Sequence, residues 1–134
     1  MSELTNVLYV EDDCNSRKVM SLLIERVMKL PLTIFENSAN FMENINQLEA
    51  LPNIIFLDIQ MQPHDGYEVL KMLRADERFH ETTIIAMTAN VMSHDVEQLK
   101  QAGFNGLIGK PIMKDVFPQL MERILVGEAV WYVP

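Results

Sequence analysis

Short apolar, β-prone runs alternate with amphipathic segments along almost the whole chain, and this alternation limits the fold more than any other feature. Residues 5–10 (TNVLYV) form the first run. A broad stripe at helical spacing follows over 15–28, with Val19, Met20, Leu22, Leu23, Ile24, Val27 and Met28 on it, and Pro31 ends it. The same pair recurs as strand 32–35 with helix 38–48, for which Ser38 is the expected N-cap, and as strand 54–57 with helix 66–75. It recurs again as strand 83–87 with helix 93–102 before Gly103, and as strand 106–108 with helix 114–125. Five βα units in one chain imply an α/β domain with a parallel five-stranded sheet, doubly wound, with helices on both faces. Strands covered on both sides should be apolar nearly throughout, and these are. No repeat, low-complexity segment or Pro/Gly/Ser-rich linker divides the chain. The pattern gives one domain over 1–126 and a tail over 127–134 (GEAVWYVP). The apolar residues of the tail either pack back on the domain or touch a partner.

The 134 residues suit a single domain with a core of its own. A net charge of −8 argues against direct nucleic-acid binding, which needs clustered Lys and Arg. The only cysteine, Cys14, rules out an internal disulfide framework and fits a reducing, cytoplasmic setting. At the start of a helix it reads as a small packed residue. No apolar run is long enough to span a membrane, and the N-terminus has no basic region or cleavage site of a signal peptide. His64, His80 and His94 are scattered and read as surface residues.

Ligands of an open parallel sheet bind beyond the C-terminal ends of its strands. Those ends carry Glu11-Asp12-Asp13, Asp58, Thr88 and Lys110-Pro111, so four of the five strands deliver a polar or charged group to one edge. Acids brought together there would repel unless a cation joined them. Carboxylates without partnering histidines or thiolates favour Mg²⁺, or Mn²⁺, over zinc. A magnesium site shares its shell readily with phosphate, Lys110 supplies a point charge for a phosphate oxygen, and Thr88 supplies a hydroxyl. An aspartate beside such a pocket can act as a nucleophile and carry an aspartyl-phosphate.

Val10-Glu11-Asp12-Asp13, Leu57-Asp58-Ile59-Gln60-Met61 followed by Asp65-Gly66, Met87-Thr88-Ala89 and Gly109-Lys110-Pro111 stand in an order that resembles the receiver domain of two-component response regulators, over about residues 6–125. The resemblance implies a flavodoxin-like (βα)5 topology. It also implies a signalling domain that takes a phosphoryl group from a sensor or hybrid histidine kinase or a histidine phosphotransfer protein. Such a domain catalyses its own phosphotransfer and dephosphorylation without being an enzyme of the usual kind. By resemblance, Asp58 is the phosphoacceptor, and Thr88 and Lys110 contact the phosphoryl group. Asp12 and Asp58 bind Mg²⁺, Glu11 acts mainly through a metal-bound water, and the backbone carbonyl of Gln60 completes the metal shell. Asp13 is auxiliary. The Lys110–Pro111 peptide is expected to be cis, and replacing Lys110 is expected to alter signalling more than folding. The output surface would be residues 93–125 (Ser93 to Leu125), facing a downstream protein or a second copy in a homodimer, with no role for membrane or nucleic acid.

Two positions depart from the family pattern. Gln62 stands where proline usually follows the methionine, and Pro63 comes one residue later. Leu107 stands where a switch aromatic is usual, so phosphorylation is expected to act through the Thr88 loop alone. These departures keep a second reading open, a pseudo-receiver that binds without being phosphorylated. A flavin- or nucleotide-binding protein would want a phosphate-cradling turn where this chain has three acids. A phosphohydrolase would want a second acid two residues past Asp58, where Gln60 stands.

Overall fold

The structure, a computed structural model, describes residues 5–91 and 96–134. Strand β1 (Val7–Val10) leads into helix α1 (Cys14–Ser21), which continues as a π-helical segment, Leu22–Val27. Then come β2 (Leu32–Phe35), α2 (Phe41–Asn46), β3 (Ile54–Asp58), α3 (Gly66–Arg74), a 3₁₀ turn (Glu77–Phe79) and β4 (Thr83–Thr88). The chain closes with α4 (Val96–Ala102), β5 (Gly106–Gly109), α5 (Phe117–Leu125) and β6 (Val130–Tyr132). The expected α4 start at Ser93, and His94, lie outside the described residues. Among the described residues no helix is long and apolar enough to cross a membrane.

The strands form one sheet in the order β2-β1-β3-β4-β5-β6, every neighbouring pair parallel. This is the expected doubly wound α/β architecture, with six strands instead of five. The sixth comes from the tail. Val130 pairs with Gly106, Trp131 with Leu107 and Tyr132 with Ile108. Val130 is fully buried, Trp131 packs on one face of the sheet and Tyr132 on the other, as strand alternation requires. The approach of β6 is close enough to demand glycine beside it: a Cβ on Gly106 would lie 2.5 Å from the Val130 carbonyl oxygen, and one on Gly109 would lie 2.7 Å from Pro134 Cδ.

Strand alternation divides the core. Leu8, Val10, Ile55, Leu57, Ile84, Ala86 and Leu107 face α2, α3 and α4, while Val7, Tyr9, Ile54, Phe56, Ile85, Met87 and Ile108 face α1 and α5. Burial of these two layers is the main term that holds the sheet between its helices. At the end away from the acids, the Arg74 guanidinium donates to the carbonyls of Phe79, Thr82 and Gly103 and to Asn105 Oδ1, joining the α3–β4 and α4–β5 connections.

Two local expectations are corrected. Ser38 caps no helix. It is buried, donates its hydroxyl to the His64 carbonyl at 2.7 Å and accepts the His64 N–H at 2.8 Å, bracing the loop after β3. The cap of α2 is Asn40, in the left-handed conformation at φ 52°. Cys14 is exposed at the start of α1 and is not a packed residue. His64 is half-buried and His80 is exposed.

Candidate functional site

The sheet order reverses direction between β1 and β3, which places the site at the edge where their C-terminal ends lie side by side. Glu11 and Asp12 follow β1, and Asp58 is the last residue of β3. Local structure holds each in place. Asp13 caps α1, its Oδ2 accepting the Ser16 N–H and hydroxyl at 2.8 Å each, and this hydrogen bonding holds its carboxyl below the usual range. Asp65 caps α3 in a reciprocal capping box with Glu68. Gly66 lets that helix start against the end of β3, because a Cβ there would stand 2.8 Å from the Asp58 carbonyl oxygen.

Glu11 is wholly buried and is the hub of the site. Its Oε1 accepts the Tyr9 hydroxyl at 2.6 Å and pairs with Lys110 Nζ at 2.6 Å, and its Oε2 accepts the Asp13 N–H at 3.2 Å. Arg17 donates to the Glu11 carbonyl at 3.0 Å. Asp58 is 3% exposed and accepts the Gln60 N–H at 3.3 Å; Lys110 Nζ stands 3.5 Å from its Oδ1. Glu11, Asp12 and Asp58 each offer an oxygen within 4.8 Å of the others.

The electrostatics follow from that crowding. Burial pushes the Asp58 carboxyl up, and the hydrogen bond and negative charge of Glu11 push it further; Lys110 only partly offsets this. Burial also works against the Glu11 charge, but hydrogen bonds from Asp58, Lys110 and Tyr9 outweigh it and hold Glu11 below its usual value. Lys110 is raised: burial disfavours its charge, and the hydrogen bond to Glu11 with the charges of Asp58 and Glu11 more than compensates. Crowding without a cation thus sets the two carboxyls apart, Asp58 pushed up and Glu11 held down.

Thr88 ends β4 fully buried, paired across to Gly109, and its carbonyl accepts the Lys110 N–H at 2.8 Å. Its hydroxyl is turned to its own loop and accepts the Asn90 N–H at 3.0 Å. Gln60 is exposed on the loop after Asp58. The peptides Lys110–Pro111 and Gln62–Pro63 are both cis. Leu107 is wholly buried. The fold thus gathers Glu11, Asp12, Asp58 and Lys110 into contact range, with Thr88 one strand away. Sequence reasoning missed Tyr9. Its signal was its place two residues before Glu11, on the same face of β1, where a ring can lie in the core while its hydroxyl reaches the strand end.

The chemistry of this donor set suits a hard divalent cation: three carboxylates in reach of one another, with no thiolate or imidazole among them.

The model of the response regulator receiver domain matches residues 7–123. The chain is 32% identical over 131 residues to the polar-differentiation response regulator DivK of Brucella anthropi, covering 92% of this chain and 98% of DivK. It is 26% identical over 128 residues to response regulator Rre1 of Synechocystis, covering 96% of this chain but spanning only 54% of that relative's length. Among solved structures it is similar to the receiver domain of sensor histidine kinase PA1611 from Pseudomonas aeruginosa, which was determined with a magnesium ion coordinated in its active site cleft. The identity is 25%, the TM-score 0.76, and the match covers 90% of this chain and 97% of that one. With its sheet order, its acidic cluster and a family match over most of its length in agreement, the chain belongs to the response regulator receiver domains of two-component signalling.

Proposed function

We propose that this receiver takes a phosphoryl group on Asp58 in a reaction that needs Mg²⁺, with Mn²⁺ as an acceptable substitute. The observation that carries the reading is the buried Asp58 carboxyl beside Lys110 and within 4.8 Å of both other acids. Glu11, Asp12 and Asp58 would hold the metal, and the carbonyl of Gln60 is the proposed fourth protein ligand. When bound, the ion supplies positive charge against the acids and the incoming phosphoryl oxygens.

The chain's own residues do the rest. Asp58, ionised once a cation offsets its neighbours, attacks phosphorus with a carboxylate oxygen. The bond from phosphorus to the donor's imidazole nitrogen breaks, and the imidazole leaves with its electron pair and takes a proton from solvent. Lys110 moves the short distance from Glu11 to a phosphoryl oxygen, where its charge offsets the charge on the transferring group. The Thr88 hydroxyl exchanges its bond from Asn90 for one to the phosphoryl group, which draws residues 88–91 inward. Hydrolysis of the acyl phosphate at the same site resets the domain. The donor is a phosphohistidine of a sensor or hybrid histidine kinase, or of a phosphotransfer protein. The output is a change at residues 93–125, read by a protein partner or a second copy, in the cytoplasm.

Intact-mass analysis after incubation with Mg²⁺ and acetyl phosphate tests this directly. One labile phosphoryl adduct is expected on the wild type and none on Asp58→Asn. No adduct on the wild type would leave the pseudo-receiver reading standing. An adduct persisting in Asp58→Asn would move the acceptor elsewhere.

A further inference from the structure

Tyr9 has no assigned part in the site, yet its hydroxyl is bonded to the carboxylate that also holds Lys110. The residue is wholly buried. Its ring meets Phe56 edge-on, with centroids 6.5 Å apart, and sits in the layer facing α1 and α5. Phe56 is its register partner on β3. The ring is thus held by the sheet, and the hydroxyl has one acceptor, Glu11 Oε1, at 2.6 Å.

The same oxygen takes Lys110 Nζ at 2.6 Å. A buried carboxylate needs donors, and one stripped of them costs heavily. The other oxygen, Oε2, has only the longer bond from the Asp13 N–H, at 3.2 Å. If Lys110 were the sole donor to Oε1, departure of the ammonium would leave that oxygen with no protein donor, its charge answered only by the cation the acids would hold. With Tyr9 beside it, Oε1 stays bonded when the ammonium goes. A lysine ammonium on its flexible stem can make that move; a phenol fixed in the core cannot follow it.

We propose that Tyr9 is a positioning residue of the phosphoryl site: by holding Glu11 Oε1, it frees Lys110 to pass from Glu11 to the phosphoryl group on Asp58. The inference rests on the phosphoacceptor reading of Asp58. Without the hydroxyl, Glu11 retains the lysine, and the oxygens arriving at Asp58 meet a weaker counter-charge.

The test is a double-mutant cycle in the full chain with Tyr9→Phe, Glu11→Gln and the double variant. Phenylalanine removes one oxygen and leaves the ring packing in place. Phosphorylation by acetyl phosphate with Mg²⁺ is followed by intact mass, and metal-free stability by urea unfolding in EDTA. Tyr9→Phe is expected to slow phosphorylation about tenfold, the scale of one charge-assisted hydrogen bond. Glu11→Gln is itself expected to slow phosphorylation, since it weakens the metal site, and on that slower rate, followed over longer incubation, Tyr9→Phe should have almost no further effect, because a neutral amide no longer retains the lysine. The unfolding cycle should show the same non-additivity with neither metal nor donor present. Uptake by Tyr9→Phe at the wild-type rate overturns the proposal while leaving Asp58 as acceptor. Equal slowing in both Glu11 backgrounds overturns it too, since Tyr9 would then not act through Glu11, as does an additive unfolding cycle. A wild type that takes no phosphoryl group overturns the reading of the site itself, and with it the role of Tyr9.

Discussion

Lys110 lies closer to Glu11 than to Asp58: its Nζ stands 2.6 Å from Glu11 Oε1 and 3.5 Å from Asp58 Oδ1. The lysine of the site therefore belongs, before any phosphoryl group arrives, to a buried glutamate that depends on it.

That dependence gives Lys110 a part in folding beside the larger part in signalling expected of it. Lys110→Ala takes the strongest donor from a carboxylate with no solvent of its own. In EDTA it should lower unfolding stability by about 1–3 kcal/mol, the cost of leaving a buried charged group short of a partner. The loss is limited because Tyr9 and the Asp13 amide remain. Chemical denaturation of the two proteins side by side is the measurement, and equal midpoints would contradict the inference.

The crowding of Asp58 has a pH signature. Its folded value lies above that of an unfolded aspartate, near 4. Below about pH 4 the acid is protonated in both states and its contribution is complete. As pH rises through the raised range, the unfolded chain has already released a proton that the fold retains, so stability falls. Glu11, held low, acts in the opposite sense, but only below the ordinary glutamate range. Metal-free protein should therefore lose stability between about pH 5 and 8. Asp58→Asn should show a flatter profile and stand about 1–3 kcal/mol above wild type at pH 8. Thermal melts in EDTA across that range would test it.

Asp12 is the exposed member of the acidic group. Asp12→Ala should leave metal-free stability within about 0.5 kcal/mol of wild type, as surface changes usually do. Magnesium affinity should fall by at least about tenfold, the order of one lost carboxylate ligand. Calorimetric titration with MgCl₂ separates the two effects. Unchanged affinity would remove Asp12 from the ligand set.

Gly106 offers a probe of β6 away from the chemistry. A methyl group there meets the Val130 carbonyl oxygen and Ile85 Cδ1, at 2.5 Å and 2.8 Å. Gly106→Ala should cost about 1–3 kcal/mol by overpacking and loosen β6. Trp131, the only tryptophan of the chain, sits half-buried on that strand with Lys100 Nζ 5.1 Å from its ring centre, and its emission should shift to the red. An unshifted spectrum would mean that β6 stays docked.

The alternation of apolar runs carried most of the fold, because strands covered on both faces have little freedom in composition. Strand 32–35 was legible to the residue, and the other four expected strands to within one or two. The tail was not legible as a strand: Val130–Tyr132 is only three residues long, and what makes it a strand is the open edge of β5, with glycines at 106 and 109. Ser38 misled for a related reason, since a serine before a helical stripe reads as a cap until tertiary structure offers it the His64 backbone. The acids, Thr88 and Lys110 were legible because strand ends point at the binding edge whatever the details. The pairing of Glu11 with Tyr9 and Lys110 was not, because it depends on side-chain reach across three strands.

The sixth strand also decides what the molecule shows to its neighbours in solution. An open sheet edge is a row of unpaired amides that can recruit another chain into a growing assembly. Here β2 opens after Pro31 and β6 is three residues long with Pro134 close behind, so both borders are short and flanked by a residue that has no amide hydrogen to donate. Without β6 the border would pass to β5, whose sequence Gly-Leu-Ile-Gly is buried throughout and carries no charge to repel an approaching strand. The tail is thus a selvedge for the sheet, and shortening it would be paid in colloidal stability before any change reached the acidic site.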